Sequence, residues 1–300
     1  MNTEPSGILI VHKHEGVTSH DIVNKVRRLY GTRRVGHTGT LDPMASGVLV
    51  VLIGRAAKAA EYLVCDAKRY EAVLRLGLET DTEDSTGAVL ATCDRIPEAE
   101  TVQEVCRAFE GEIFQTPPMY SALKVNGQKL CDLARSGVVV ERRARPITIH
   151  SLTVSPTDLP TEYLLQVHCS SGTYIRTLCA DIGKALGCGG VMAALKRTEA
   201  GGFELAASHT LDALEALTEE ERVACLLPTE SLFASLPKIS LPAFYERLCR
   251  NGCEIYLAKI GRPALAEGER VRLYGAEGFF ALGEVKSYEA GMAIKAIKFL

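Results

Sequence analysis

Residues 36–53 read Gly36-His37-Thr38-Gly39-Thr40-Leu41-Asp42-Pro43-Met44-Ala45-Ser46-Gly47-Val48-Leu49-Val50-Val51-Leu52-Ile53. Glycine punctuates the first half, which permits tight turns close to other backbone. The second half, Val48–Ile53, is an apolar run of strand length and reads as a buried strand. Asp42 stands between them, and Pro43 pushes its backbone toward extended conformations. A carboxylate is thus presented on a loop anchored to the core, a frequent placement for a catalytic group. The same pattern also fits an aspartate that only caps its own turn.

Toward the N-terminus, Gly7–Val11 is expected to be a short strand. A helix follows, with Thr18 or Ser19 as N-cap, Asp21 near the positive end of the dipole, and a stripe of Ile22, Val23, Val26 and Leu29. Toward the C-terminus, Tyr70 to Leu78 alternates like a half-buried strand, and Asp84-Ser85-Thr86-Gly87 marks a turn. Val102, Val105, Cys106 and Phe109 have helical spacing; Pro117-Pro118 breaks the chain, and Asn126-Gly127 signals a turn. Tyr163–Cys169 alternates as a strand. Ser170-Ser171-Gly172 then leads into a helix with the face Ile175, Leu178, Cys179, Ile182 and Leu186, stopped by Gly187, Gly189 and Gly190. Pro228, Pro237 and Pro242 mark a linker zone. Beyond it, Arg270–Leu273, Phe279–Val285 and Ala293–Phe299 read as strands of a small β-rich unit. The pattern predicts a mixed α/β main domain with a compact β appendix.

Hydrophobic residues are 47% and charged residues 24% of the 300, a globular composition that excludes disordered, collagenous and low-complexity classes. No apolar run approaches the ~20 residues of a membrane span. Met1–Ile10 lacks the basic flank and apolar length of a signal peptide. Ten cysteines run from Cys65 to Cys253 without a CxxC pair, so reduced thiols and a cytoplasmic location are expected. The net charge of −3 by itself argues against a polyanionic partner, but the charge is segregated. Residues 1–36 hold Lys13, Lys25, Arg27, Arg28, Arg33 and Arg34 against Glu4, Glu15 and Asp21, a net of +3. Residues 124–150 hold Lys124, Lys129, Arg135, Arg142, Arg143 and Arg145 against Asp132 and Glu141, a net of +4. Residues 79–112 carry a net of −8. The expectation is a bipolar molecule with one basic face, or charge that is merely solvated.

His37 has His12, His14 and His20 as sequence neighbours, but the spacing fits no zinc pattern and the surrounding Lys and Arg oppose a cation. GxSxG, GxxxxGK[ST] and GxGxxG are absent, so no nucleotide cofactor is implied. Tyr70 and Tyr174 fit core aromatics. Tyr174 also stands beside Arg176 at a helix N-terminus, where a base can stack and a phosphate be neutralised. The Lys124–Arg145 segment, with Asn126-Gly127 and Gly137, fits either a solvated face or a basic flap bending around an RNA.

The 36–43 run with Gly47 resembles the hallmark motif of the TruB family of pseudouridine synthases, bacterial type. Further blocks follow in family order: Asp66-Ala67-Lys68-Arg69-Tyr70; Gly77 with Thr80-Asp81-Thr82 and Asp84; Pro118-Met119-Tyr120-Ser121-Ala122-Leu123-Lys124; Gly127-Gln128-Lys129-Leu130; Arg145-Pro146; and Ser171-Gly172-Thr173-Tyr174-Ile175-Arg176. The resemblance implies a mixed α/β pseudouridine synthase fold, with a largely antiparallel central sheet and flanking helices over residues 1–235. It implies a thumb-like insertion at about 119–145 and a small β-rich PUA-like RNA-binding domain over 236–300. The implied reaction isomerises uridine 55 in the T loop of tRNA by base flipping, glycosidic cleavage and reattachment at C5. Asp42 would be the catalytic aspartate and Arg176 its partner, while Tyr70 and Tyr174 would contact the flipped base or act near C5. His37 would help fill the gap left in the T loop, and Leu195 would line an apolar pocket. Lys124, Arg142, Arg143 and Arg145 would hold RNA. No metal or cofactor is implied, tRNA is the partner, and a monomer without an obligatory protein partner is expected. His14 replaces a family proline, Ala57 a threonine, Cys131 a common tyrosine and Lys196 a common arginine, departures that bear on RNA affinity more than on chemistry. An RNA-binding protein of the same fold would not need Asp42, Tyr70 and Arg176. A glycoside hydrolase would want a second carboxylate roughly 5–9.5 Å from the first, and no motif supplies one.

Overall fold

The computed structural model describes residues 4–62, 67–261 and 265–300. Cys65 and Asp66 therefore lie outside the described residues. A nine-stranded sheet forms the spine of the larger part. From edge to edge its path runs Gly7–Lys13, Ser46–Ile53, Gly190–Ala200, Lys68–Leu76, Glu162–Cys169, Arg145–Pro156 and Gly111–Gln115. Val35–His37 pairs with Ser46–Ile53, and Phe203–Glu204 with Gly190–Ala200. Among the described residues, every pairing in this sheet is antiparallel except one. Lys196 opposite Ser46 and Arg197 opposite Gly47 run parallel. The strands here approach so closely that a Cβ on Gly47 would stand 2.2 Å from the Arg197 carbonyl oxygen, and its φ is +108°. Only glycine fits both demands. The loop with Asp42 leaves the sheet at this junction.

The elements expected from sequence form where the residues dictate. Thr18 caps Ser19–Leu29 in a capping box with Asp21, and Ile22, Val23 and Val26 bury that helix against Leu49 and Val51. Ser46–Ile53 is buried along nearly its whole length, as its unbroken apolar run requires. Lys68–Leu76 alternates between buried and more exposed residues, with Tyr70, Ala72, Leu74 and Leu76 inward. The helix Ile175–Ala185 lays Leu178, Cys179 and Ile182 on the opposite core, each fully buried. Burying a leucine stabilises by about 1.5–3 kcal/mol. This helix runs so close to Gly190–Ala200 that a Cβ on Gly183 would meet the Gly190 nitrogen at 2.1 Å.

Several elements lie beyond what the sequence pattern predicts. The central strand Gly190–Ala200, the strands Gly111–Gln115 and Arg145–Pro156, and the helices Leu211–Ala216 and Glu219–Ala224 are among them. Asn126-Gly127 does turn a hairpin, between Lys124–Val125 and Gln128–Lys129, with φ of 51° and 83°. The short helix Leu130–Arg135 follows it directly.

The C-terminal unit is a five-stranded sheet in the order Lys238–Ser240, Arg270–Gly275, Gly278–Tyr288, Gly291–Phe299, Ile255–Tyr256. It has a core of its own, including Ile239, Val271, Leu273, Val285 and Ile294, with Cys249 of the helix Ala243–Arg250 packed in. Phe233, Ala59 and Leu282 bury the contact with the larger part. The Tyr62 hydroxyl crosses that contact to Ile297 O at 3.3 Å.

Candidate active site

The loop bearing Asp42 is tied down along its length by buried polar side chains. Lys13, fully buried, donates from Nζ to the carbonyls of His14, Pro43 and Ala45 at 2.9, 3.2 and 2.5 Å. Ser19 Oγ accepts from Leu41 N at 2.8 Å and donates to Leu41 O at 3.0 Å. Arg197, 1% exposed, donates to Val48 O at 2.7 Å and to Gly39 O at 3.0 Å. Each cation is thus employed on loop carbonyls, and burial pulls the Lys13 ammonium down to about 8. Charge counting alone places Lys13 on a basic surface. The structure corrects this, because Lys13 reaches inward beneath the Asp42 loop and not toward solvent.

Asp42 receives a two-pronged contact from Arg176: Nε to Oδ2 at 2.9 Å and Nη2 to Oδ1 at 3.2 Å. Arg176 is 5% exposed and is itself oriented by carbonyls, with Nη2 to Tyr120 O at 2.8 Å and Nη1 to Thr82 O at 3.2 Å. Asp84 Oδ2 lies 3.9 Å from Nη1, and Asp84 Oδ1 is held by Thr82, the Thr86 amide and the Thr86 hydroxyl at 2.8, 2.9 and 2.6 Å. Burial pushes the Asp42 carboxyl above its ordinary value, Arg176 pulls it back and Asp84 adds to the rise. The Arg176 fork fixes the carboxylate's orientation and favours its ionised form.

Around this pair lies a cleft of about 930 Å³, lined by His37, Tyr70, Tyr174 and Leu195 as well as Asp42 and Arg176. Tyr70 is 8% exposed and stands opposite Arg197 in the strand register. Burial raises its phenol, and the nearby Arg197 opposes that rise. Tyr174 is the N-cap of the Arg176 helix, and burial raises its phenol as well. Burial, and after it the Arg197 charge, lowers the His37 imidazole below its ordinary value. Six of the sequence-predicted residues therefore meet in one place. Lys124, Arg142, Arg143 and Arg145 do not line the cleft. Lys124, Arg143 and Arg145 are exposed on the insertion and its flank, whereas Arg142 is half-buried and donates to Pro117 O at 3.0 Å. The insertion reaches the cleft instead through Tyr120–Leu123, Lys129, Cys131 and Arg135.

Residues 27–175 match the TruB family pseudouridylate synthase N-terminal domain, and residues 176–234 match the tRNA pseudouridylate synthase B C-terminal domain. The chain is 44% identical over 278 residues to tRNA pseudouridine synthase B of Aromatoleum aromaticum, covering 93% of this chain and 88% of that protein. The chain belongs to the TruB family. A second relative, tRNA pseudouridine synthase B of Clostridium kluyveri, is 43% identical over 291 residues, covering 95% of this chain and 98% of that one. Among solved structures, the crystal structure of a Cbf5-Nop10-Gar1 complex superposes with a TM-score of 0.74 at 26% identity, covering 98% of this chain and 84% of that one. This TruB-family synthase is accordingly an isomerase that converts uridine to pseudouridine in tRNA.

Sequence reasoning misses four side chains that shape the TruB site: Lys13, Asp84, Gln115 and Arg197. Asp84 stands inside one of the family blocks, but its local signal is that of a turn former. The other three stand among polar neighbours, His12 and His14, Thr116, and Lys196 and Thr198, so nothing local marks them as buried. Gln115, 2% exposed, donates from Nε2 to Tyr174 O at 3.0 Å and accepts from Tyr174 N at 2.8 Å.

Proposed function

We propose that the synthase isomerises uridine 55 in the T loop of tRNA, with Asp42 as the reacting carboxylate. The observation that carries this is the Arg176 fork on Asp42, at 2.9 and 3.2 Å, inside a cleft large enough for one nucleotide. The target uridine leaves the stack and enters the cleft, a step that opens C1′, N1 and C5 to the protein. The C1′–N1 bond then breaks, the uracil turns while held, and C5 bonds to C1′. C5 loses a proton and N1 gains one, so no electrons are exchanged with a cofactor. Asp42 supplies the electron-rich oxygen that splits this rearrangement into smaller steps. Arg176 keeps that oxygen aimed without moving during the reaction. The Tyr70 phenol, raised by burial, is protonated at neutral pH and takes part in proton transfer at C5. Tyr174 and Leu195 bound the uracil faces, and neutral His37 occupies the place that the flipped base vacates.

Arg143, Arg145 and Lys124 hold phosphates outside the cleft, together with the 236–300 sheet acting as a PUA-like RNA-binding domain beside a catalytic domain of residues 1–235. The synthase then acts as a monomer on tRNA in the cytoplasm. Incubation with an unmodified tRNA transcript, followed by chemical adduct formation and primer extension, tests the reading. A stop at position 55 is expected. Folded protein that leaves that uridine unconverted overturns it.

A further inference from the structure

The root of the insertion is joined to the Arg176 helix by a side chain that the proposed chemistry does not use. Gln115 ends the edge strand Gly111–Gln115 and is 2% exposed. Its amide directs both ends at the main chain of one residue, donating to Tyr174 O at 3.0 Å and accepting from Tyr174 N at 2.8 Å. Tyr174 is the N-cap of Ile175–Ala185, where its N–H has no intrahelical acceptor and no side chain of its own caps the helix. Its carbonyl also accepts from Leu178 N at 3.0 Å, so the peptide is gripped from both sides. Five residues after Gln115, Tyr120 O takes a hydrogen bond from Arg176 Nη2 at 2.8 Å. Residues 115 and 120 are therefore fastened to residues 174 and 176, the second of which grips Asp42.

We infer that Gln115 is a positioning residue for Tyr174: the amide clasp sets where the Tyr174 ring stands over the cleft relative to Arg176 and Asp42. This deepens the functional reading above and rests on it. A glutamine bound to two separate groups would only fill hydrogen-bonding needs. One that matches the N–H and C=O of a single residue imitates a neighbouring strand and leaves that residue no freedom to slide. The chemistry of the clasp makes it separable from packing. Leucine keeps the bulk and loses both bonds. Glutamic acid keeps the shape, and when neutral it offers one O–H donor and one acceptor, as the clasp requires. Once ionised it only accepts, and it sets a carboxylate oxygen against Tyr174 O. Burial raises such a carboxyl, while Arg145, opposite residue 115 in the strand register, favours its ionised form.

The experiment compares wild type, Gln115→Leu and Gln115→Glu in single-turnover conversion and tRNA binding from about pH 6 to about pH 9. Amide hydrogen exchange at Tyr174 is read on the same proteins. Gln115→Leu is expected to slow conversion at least about tenfold and to hold Kd within about threefold, as for a group that orients and does not bind. Its Tyr174 amide should exchange at least about tenfold faster. Gln115→Glu should fall below wild type by the alkaline end of the range, where its carboxyl is ionised. Wild-type conversion and exchange in Gln115→Leu, or a Gln115→Glu that matches wild type across the whole range, overturns the inference. If Gln115→Leu fails to fold, the Gln115→Glu profile decides alone. A wild type that converts no uridine in tRNA overturns the functional reading instead, and the exchange measurement still decides whether Gln115 fixes Tyr174.

Discussion

The Asp42 loop and the 119–145 insertion face the same cleft and are built in opposite ways. Beneath the loop, Lys13, Ser19 and Arg197 are buried and each is bonded to a loop main-chain group. The insertion consists of two-residue strands and a six-residue helix, and Val139 within it is 78% exposed. A group that reacts has to be in place before the substrate arrives, since reorganising it during the reaction would cost rate. A segment proposed to grip a folded RNA has to let that RNA in, and two-residue strands with exposed side chains suit that role. Under the proposed function, the contrast gives rate to one set of residues and affinity to another.

Asp42→Asn is the strongest way to break that division. It is expected to lower single-turnover conversion by more than about 10³-fold while leaving the tRNA Kd within a few-fold, because phosphate contacts elsewhere dominate affinity. Mass spectrometry has to exclude deamidation back to aspartate. A variant that keeps its rate, or loses binding in step with it, ends the assignment. The same carboxyl sets an acid limb. Its value is raised by burial above the ordinary 3.8, and the proposed mechanism needs it ionised. Conversion should therefore fall as pH drops through a point higher than that of a free aspartate. A rate that stays flat to the free-aspartate value would show that another group limits the chemistry.

Tyr70 sharpens the comparison from inside the core. Its ring belongs to the hydrophobic cluster with Ala72, Leu165 and Val167, yet it also lines the cleft. Tyr70→Phe preserves the packing and removes only the hydroxyl. Conversion is expected to fall by on the order of 10²-fold with no change in melting temperature, as for loss of a positioned acid–base group. Tyr70→Leu should lose stacking as well as chemistry. An active Phe variant with an unstable Leu variant would return Tyr70 to a packing role.

The same division governs what can be read from sequence. Asp42 is legible because Pro43, three glycines and an apolar strand surround it, each a local signal. Tyr70 is legible through the alternation of its strand. Gly190–Ala200 escapes because it sits mid-sheet with a bulge between Met192 and Ala194, which breaks the two-residue period. Charge counts do not tell Lys13 from Arg143, since one is buried under a loop and the other faces solvent. Burial of a lone cation depends on which carbonyls the fold brings to it, and that information is not local.

The smallest expected effect tests the insertion itself. Residues 124–150 carry a net of +4 on a chain of net −3, but the three arginines near its end are not equivalent. Arg143 and Arg145 are exposed, while Arg142 is half-buried and tied to Pro117 O at 3.0 Å. If Arg143 and Arg145 hold phosphates as proposed, neutralising both leaves two phosphates without a cationic partner. The slope of log affinity against log salt should flatten by about 0.7–0.9 for each phosphate no longer neutralised. Adding Arg142→Ala should leave the slope where the double variant put it, because a half-buried guanidinium held on Pro117 O has to leave that contact to reach a phosphate. Its removal should show instead as a looser insertion root, read as faster amide exchange around Pro117–Tyr120. If Arg142→Ala alone flattens the slope as much as Arg143→Ala does, the arginine swings out to a phosphate in the complex. The root of the insertion then moves with the RNA, and the contrast between a fixed floor and a yielding grip has to be redrawn at residue 117.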